Sequence, residues 1–273
     1  VTEVSAGLTF NQQATASSSI TVDGTTTPAV VVEDVSTNVD SAVVVTYENE
    51  NNDLVIAGLE TFNSGDLGDV TIPIEDAGGF PGNHTAHVID AELLSNSGYS
   101  AGNVVSDQTA NGIIANEEAT ILQSTVDFEA QTYVAETDTL NVSTANLSDG
   151  SGDTTLFQID VHPTDADGNL IANEFVGGSQ VLSGTNNDVT ITLEDSNGDP
   201  VTIDETDDFV AMVHIVDDNT VQEGDQRPPG TFPVLSNADA NQNGFVGSGV
   251  TDNATVTIDQ PATPTFSNLD IAG

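Results

Sequence analysis

Apolar and polar residues alternate along short stretches of this chain. Val70, Ile72 and Ile74 share one parity of "DVTIPIED" (69–76), and Val189, Ile191 and Leu193 share one parity of "DVTITLED" (188–195). Alternation with period two marks a strand with one buried face. Denser β-branched runs, "PAVVVEDV" and "SAVVVTYE", read as strands of the same kind, and "VDG", "ADGN" and "NGDP" supply turns between such segments. No stretch holds an apolar period of 3.6 over three turns; "AELLSNSGY" at 91–99 predicts a helical turn and nothing longer.

The two quoted octapeptides agree at six of eight positions, and the agreement extends along the chain with a period of about 120 residues. Phe10 pairs with Phe128, "ITV" at 20–22 with "LNV" at 140–142, and "DLVIA" at 53–57 with "NLIAN" at 169–173. "AHVID" at 86–90 pairs with "VHIVD" at 213–217, and "EATI" at 118–121 with "NATV" at 253–256. Two homologous domains follow, 8–122 and 126–259, flanked by an N-terminal extension at 1–7 and a tail at 260–273. Regular short strands in domains of this size predict an all-β chain of two tandem immunoglobulin-like antiparallel β-sandwich domains.

Charge changes the picture more than any motif. The formal net charge is −43, with Arg227 the one basic side chain besides four histidines. Phosphate recognition needs clustered Lys and Arg, so nucleic acid is excluded as a partner, and anionic membrane surfaces are excluded with it. The β-branched periodicity distinguishes the chain from a disordered acidic tail. For this mass the accessible surface is roughly 11,000 Å², or one net charge per ~260 Å². Such charges repel across a Debye length of ~30 Å at 0.01 M salt and are screened at ~3 Å in 1 M salt. The composition therefore reads as adaptation to molar salt. Cysteine is absent, which removes disulfides and thiolate chemistry, and no run of apolar residues is long enough to insert in a membrane. "VTEVSAG" is not a translation start, so an exported chain is expected to have shed its signal.

A Phe-x-x-Gln opening strand, a β-rich body, a Val/Ala-His-x-x-Asp segment and a closing Ala-Thr-Val strand together resemble the uncharacterised β-sandwich domains repeated in secreted haloarchaeal cell-surface proteins. The resemblance covers both repeats. It implies an extracellular, cell-surface location and a structural or adhesive role, and it carries over no catalytic residue.

Candidate chemistry is sparse. "GYSAG" at 98–102 matches the nucleophile elbow around Ser100, but the elbow needs a strand before the serine and a helix after it, and "NVVSDQTANG" follows here. The chain is read as a non-enzyme. His84, His87, His162 and His214 could bind metal or act as bases; His87 and His214 are aligned by the repeat and read as packing residues. "DANQNG" at 239–244 fits the start of a calcium loop, with Asp239, Asn241 and Asn243 as oxygen ligands; Val250 stands where the bidentate acid belongs, with Asp252 nearby. Calcium is thus the candidate ligand, and no other cofactor is expected. Four sequons offer Asn83, Asn141, Asn146 and Asn253 to glycans, Asn83 foremost because it follows "GGFPG", which reads as a loop.

The chain closes on "PTFSNLDIAG" (264–273), in which Phe266 follows a threonine as Phe10 does. Phe266, Leu269 and Ile271 predict a strand seeking a sheet edge, the contact by which one copy would complete a sandwich of the next. The expected role is a structural subunit of an extracellular homopolymer, a filament joined by strand donation. The alternative is an adhesin or ligand-binding module of a longer surface protein; the absence of Trp and the presence of three Tyr weigh against a sugar platform.

Overall fold

The computed structural model describes residues 4–15, 20–22, 25–76, 81–105, 112–150, 155–168, 170–171, 173–216, 220–232 and 251–259. The first unit comprises β1 (Ala6–Thr9), β2 (Gln13–Thr15), the hairpin β3 (Ile20–Val22) and β4 (Thr25–Thr27), β5 (Ala29–Thr37), β6 (Ser41–Glu48), β7 (Leu54–Phe62), β8 (Gly65–Pro73), β9 (Gly82–Asp90), α1 (Ala91–Ser97) and β10 (Ile113–Asp127). The second comprises the end of β10, β11 (Gln131–Tyr133), β12 (Thr139–Ser148), β13 (Leu156–Pro163), β14 (Gly177–Gly178), β15 (Leu182–Thr192), β16 (Asp207–Ile215) and β17 (Thr251–Ile258).

Each unit is an immunoglobulin-like sandwich. In the first, β1-β5-β8 faces β7-β6-β9-β10, and β2 joins β10 in parallel. In the second, the end of β10 pairs with β12 and β12 with β15; β13-β16-β17 folds over as the facing layer, still joined to β15 directly and through β14, and β11 joins β17 in parallel. The opening strand thus divides between the two sheets of each sandwich. At the division a phenylalanine, Phe10 or Phe128, turns into the core. Its backbone N–H donates to Glu117 in the first unit (3.0 Å) and to Asp252 in the second (2.8 Å).

Three residues on, a glutamine side chain does the work of a missing backbone neighbour. Gln13 donates to the carbonyl of Val31 (2.9 Å) and accepts from its N–H (2.7 Å). Gln131 does the same with Asn141 (2.8 and 2.9 Å). Val31 on β5 therefore occupies the place of Asn141 on β12, which corrects the alignment of "ITV" with "LNV": residues 20–22 belong to the separate hairpin β3–β4.

Strand register also corrects the pairing of the histidines. Ala86 faces Val45 and Glu117, and Ala211 faces Val161 and Asp252, so Ala86 matches Ala211 and His87 matches Met212. His87 and His214 share the outer face but stand one pleat apart.

The joint between the sandwiches is a strand. Ile113–Ile121 of β10 pair with β9, and Gln123–Asp127 pair with β12. Because successive side chains point to opposite faces, the adjacent Ile121 and Leu122 enter different cores: Ala119 and Ile121 the first, Leu122 and Val126 the second. Beside this joint Gly150, at φ 77°, lies so close to Pro81 of the first unit that a Cβ would come within 2.6 Å of the Pro81 carbonyl oxygen.

Candidate functional site

Both sandwiches cover the outer face of one central strand pair, β6–β9 in the first unit and β13–β16 in the second, and they do so with different chemistry. In the first unit Ala42, Val44 and Ile89 form a small apolar cluster with Ile56 and Leu94 of α1. Asp90 caps that helix by accepting from Glu92 N–H, and Gly98 ends it in the left-handed conformation. In the second unit the matching positions are Gln158, Asp160 and His214, as β13 and β16 pair in the register of β6 and β9. His162 follows on β13. All four are buried, Gln158 and Asp160 completely.

What covers Gln158, Asp160 and His214 is the segment 220–232. Gln158 donates to the carbonyl of Arg227 (2.8 Å), Gly230 N–H donates to Asp160 Oδ2 (2.6 Å), and His214 Nδ1 donates to the carbonyl of Phe232 (2.9 Å). Three side chains on the sheet thus hold three points of one strap. His162 Nδ1 donates to the Glu174 carbonyl (2.9 Å), and the Phe175 ring packs against it at 4.6 Å between centroids. A carbonyl can only accept, so both histidines carry their proton on Nδ1 and present a lone pair on Nε2. Both Nε2 atoms, Asp160 Oδ1 and Gln158 Oε1 are buried without a hydrogen-bond partner among the described residues.

The electrostatics follow from burial. Loss of solvent pushes Asp160 up to about 6, although His214 and the Gly230 N–H favour the anion. Burial, with the neighbouring His214, holds His162 down at about 4. The two imidazoles stack with centroids 5.8 Å apart, and His214 Nε2 stands 3.8 Å from Asp160 Oδ2, too long for a hydrogen bond. Among the described residues no group of three or more His, Asp or Glu side chains is placed to hold a metal ion.

The sequence offers His162 and His214 as separate candidates but hides their grouping with Gln158 and Asp160, for a physical reason. In "LFQIDVHP" the polar residues 158, 160 and 162 alternate with Phe157, Ile159 and Val161, the pattern of a strand with a wet face. Nothing local announces that a segment about 60 residues later covers that face. The parity of Gln, Asp and His on a strand with no Lys or Glu was the available signal.

The other candidates lie apart. Asp239, Asn241 and Asn243 of the calcium reading fall outside the described residues, as do Phe266, Leu269 and Ile271. Asp252 is engaged by backbone, accepting from Phe128 and Asn253. Ser100 follows a helix instead of a strand, and its hydroxyl reaches Asn103 Oδ1 at 3.4 Å, so the elbow geometry is not met. Asn83 lies in β9 and not in a loop; its Oδ1 accepts from Thr120 (2.7 Å). The other three sequons also lie on strands, with Asn253 exposed and Asn141 and Asn146 half-buried. A concavity of about 340 Å³ over β15 is lined by Gln180, Asn186, Asn187, Thr190 and Gln226 among others, and by no aromatic ring.

No protein-family model matches the chain, and no curated protein matches it. Among solved structures, the chain is similar to a tetra-tandem repeat in the extending region of a large adhesion protein, with 16% identity, 94% of this chain covered and a TM-score of 0.21. The chain spans 50% of that structure's length.

Proposed function

We propose that this chain is a structural module: a stiff pair of β-sandwiches that acts as a spacer within a longer extracellular surface protein working in molar salt, without catalytic activity. The observation that carries the reading is β10, which closes the first sandwich and opens the second without leaving the extended conformation. A flexible linker lets neighbouring domains tumble; a shared strand with side chains in both cores fixes their angle. The Gly150–Pro81 approach fills the crevice beside it. The acidic surface keeps such a module soluble at high ionic strength, and the candidate site tethers a strap of the same chain in place of a substrate. This reading favours the surface-module alternative; the strand-donating tail at 260–273 lies outside the described residues.

The chain has no cysteine, so two introduced ones are unique spin-label sites. Glu50→Cys and Ser196→Cys place one label on an exposed residue of each unit. Pulsed electron paramagnetic resonance in molar salt is expected to give a single narrow distance distribution. A broad distribution, as from independently tumbling domains, overturns the spacer reading.

A further inference from the structure

The geometry points to a proton-operated clasp in the second sandwich: the strap 220–232 is held down by Gln158, Asp160 and His214 while His162 beside them is neutral, and it lifts when acid charges His162. The two sandwiches provide an internal comparison. Where the first unit seats α1 on Ala42, Val44 and Ile89, the second replaces all three with polar groups, and each makes one hydrogen bond to the strap. Ala42, Val44 and Ile89 do not themselves titrate, although His87 stands opposite Val44 and hydrogen-bonds Thr46 instead of the covering helix. A seat of one carboxylate and two imidazoles titrates.

The groups facing the cluster decide the direction. From β13 come Asp160 and His162, and from β16 His214. Glu194, after β15, adds negative potential at Asp160. From the strap come Arg227 and Asp225, which face each other at 3.8 Å. As pH falls, Asp160 takes a proton near 6, ahead of His162, and the nearest carboxylate countercharge disappears. His162 then has to charge, near 4, beside a second imidazole and under Phe175, with Nε2 facing no acceptor. A buried cation without a partner is relieved by water; Gly230 of the strap lies against the Phe175 ring that covers His162, so water reaches the imidazole when the strap opens.

The test uses the whole chain in molar salt. Because the sequence has no Trp, Phe232→Trp puts the only indole on the buried end of the strap. Its emission is expected to shift to the red with a midpoint between pH 6 and pH 4, while far-ultraviolet circular dichroism keeps its β signature. His162→Gln, which keeps a donor for the Glu174 carbonyl but cannot charge, is expected to move the midpoint down by at least about one pH unit. The unsubstituted protein provides a second measurement, since its four histidines give four resolvable imidazole resonances: His162 is expected to titrate together with the loss of amide protection at Gly230. Three results overturn the clasp: His162 titrating near 6.5 with the strap in place, an emission shift of unchanged midpoint in H162Q, or loss of all β structure at the same pH as the emission shift.

Discussion

Gln131 shows how much a single side chain carries in a fold whose opening strand changes sheets. Its amide satisfies both backbone groups of Asn141, and its Oε1 also accepts from Tyr133 (2.8 Å). Among side chains at pH 7, an amide has the donor and the acceptor side by side in the arrangement of a peptide group. Gln131→Glu is therefore expected to destabilise the second sandwich by about 2–3 kcal/mol at pH 7, because a carboxylate faces the Asn141 carbonyl and leaves it unpaired. Protonating the new carboxyl restores a donor, so the loss should shrink below about pH 4. Urea denaturation at both pH values checks this, and a loss that is equal at both argues against the clip. The Phe-x-x-Gln pattern was legible in sequence, whereas its partner was not. The glutamine reaches 18 residues ahead in the first unit and 10 in the second, since hairpin β3–β4 is inserted in the first. That insertion is also what misaligned "ITV" with "LNV".

At the scale of elements, alternation identified β8 and β15 because one face of each is core and the other is wet. The same rule misread β13, whose polar parity lies under the strap, and it left unread the shift of apolar parity in "EATILQSTVDF", where Ile121 and Leu122 break the alternation. That break is the joint. Gly150 beside it occupies a positive-φ turn and has no room for a Cβ. Gly150→Ala is expected to cost about 1–2 kcal/mol for the left-handed backbone, and to push Pro81 away as well. Applied to the doubly spin-labelled chain, the substitution should broaden or displace the distance distribution. A distribution identical to that of the parent would show that the crevice contributes nothing to stiffness.

For the whole molecule, two electrostatic effects act in opposite directions as pH falls, and salt selects between them. The first is surface repulsion from a net charge of −43, which protonation of carboxylates relieves and salt screens. The second is the buried histidines. Burial holds His87 and His162 down at about 4, below their unfolded value of about 6.5, so the native state binds fewer protons than the unfolded chain between those limits. Their contribution is complete above pH 6.5 and is lost as pH falls toward 4. Asp160, pushed up to about 6, works against this: its folded form takes up a proton that the unfolded chain binds only near 3.9, so it favours the native state as pH falls from 6 to 4. Two histidines outweigh one carboxylate of similar shift. In molar salt, where repulsion is screened, stability should therefore decline steadily below about pH 6.5. At about 0.01 M salt the fold should be lost at pH 7, where repulsion is unscreened, and should recover partly on mild acidification before the histidines charge. Thermal melts followed by circular dichroism across pH 4–8 at the two ionic strengths distinguish the terms. An optimum that stays at the same pH in both salts would mean that surface charge does not govern the fold, and a low-salt protein stable at pH 7 would remove the halophilic reading altogether.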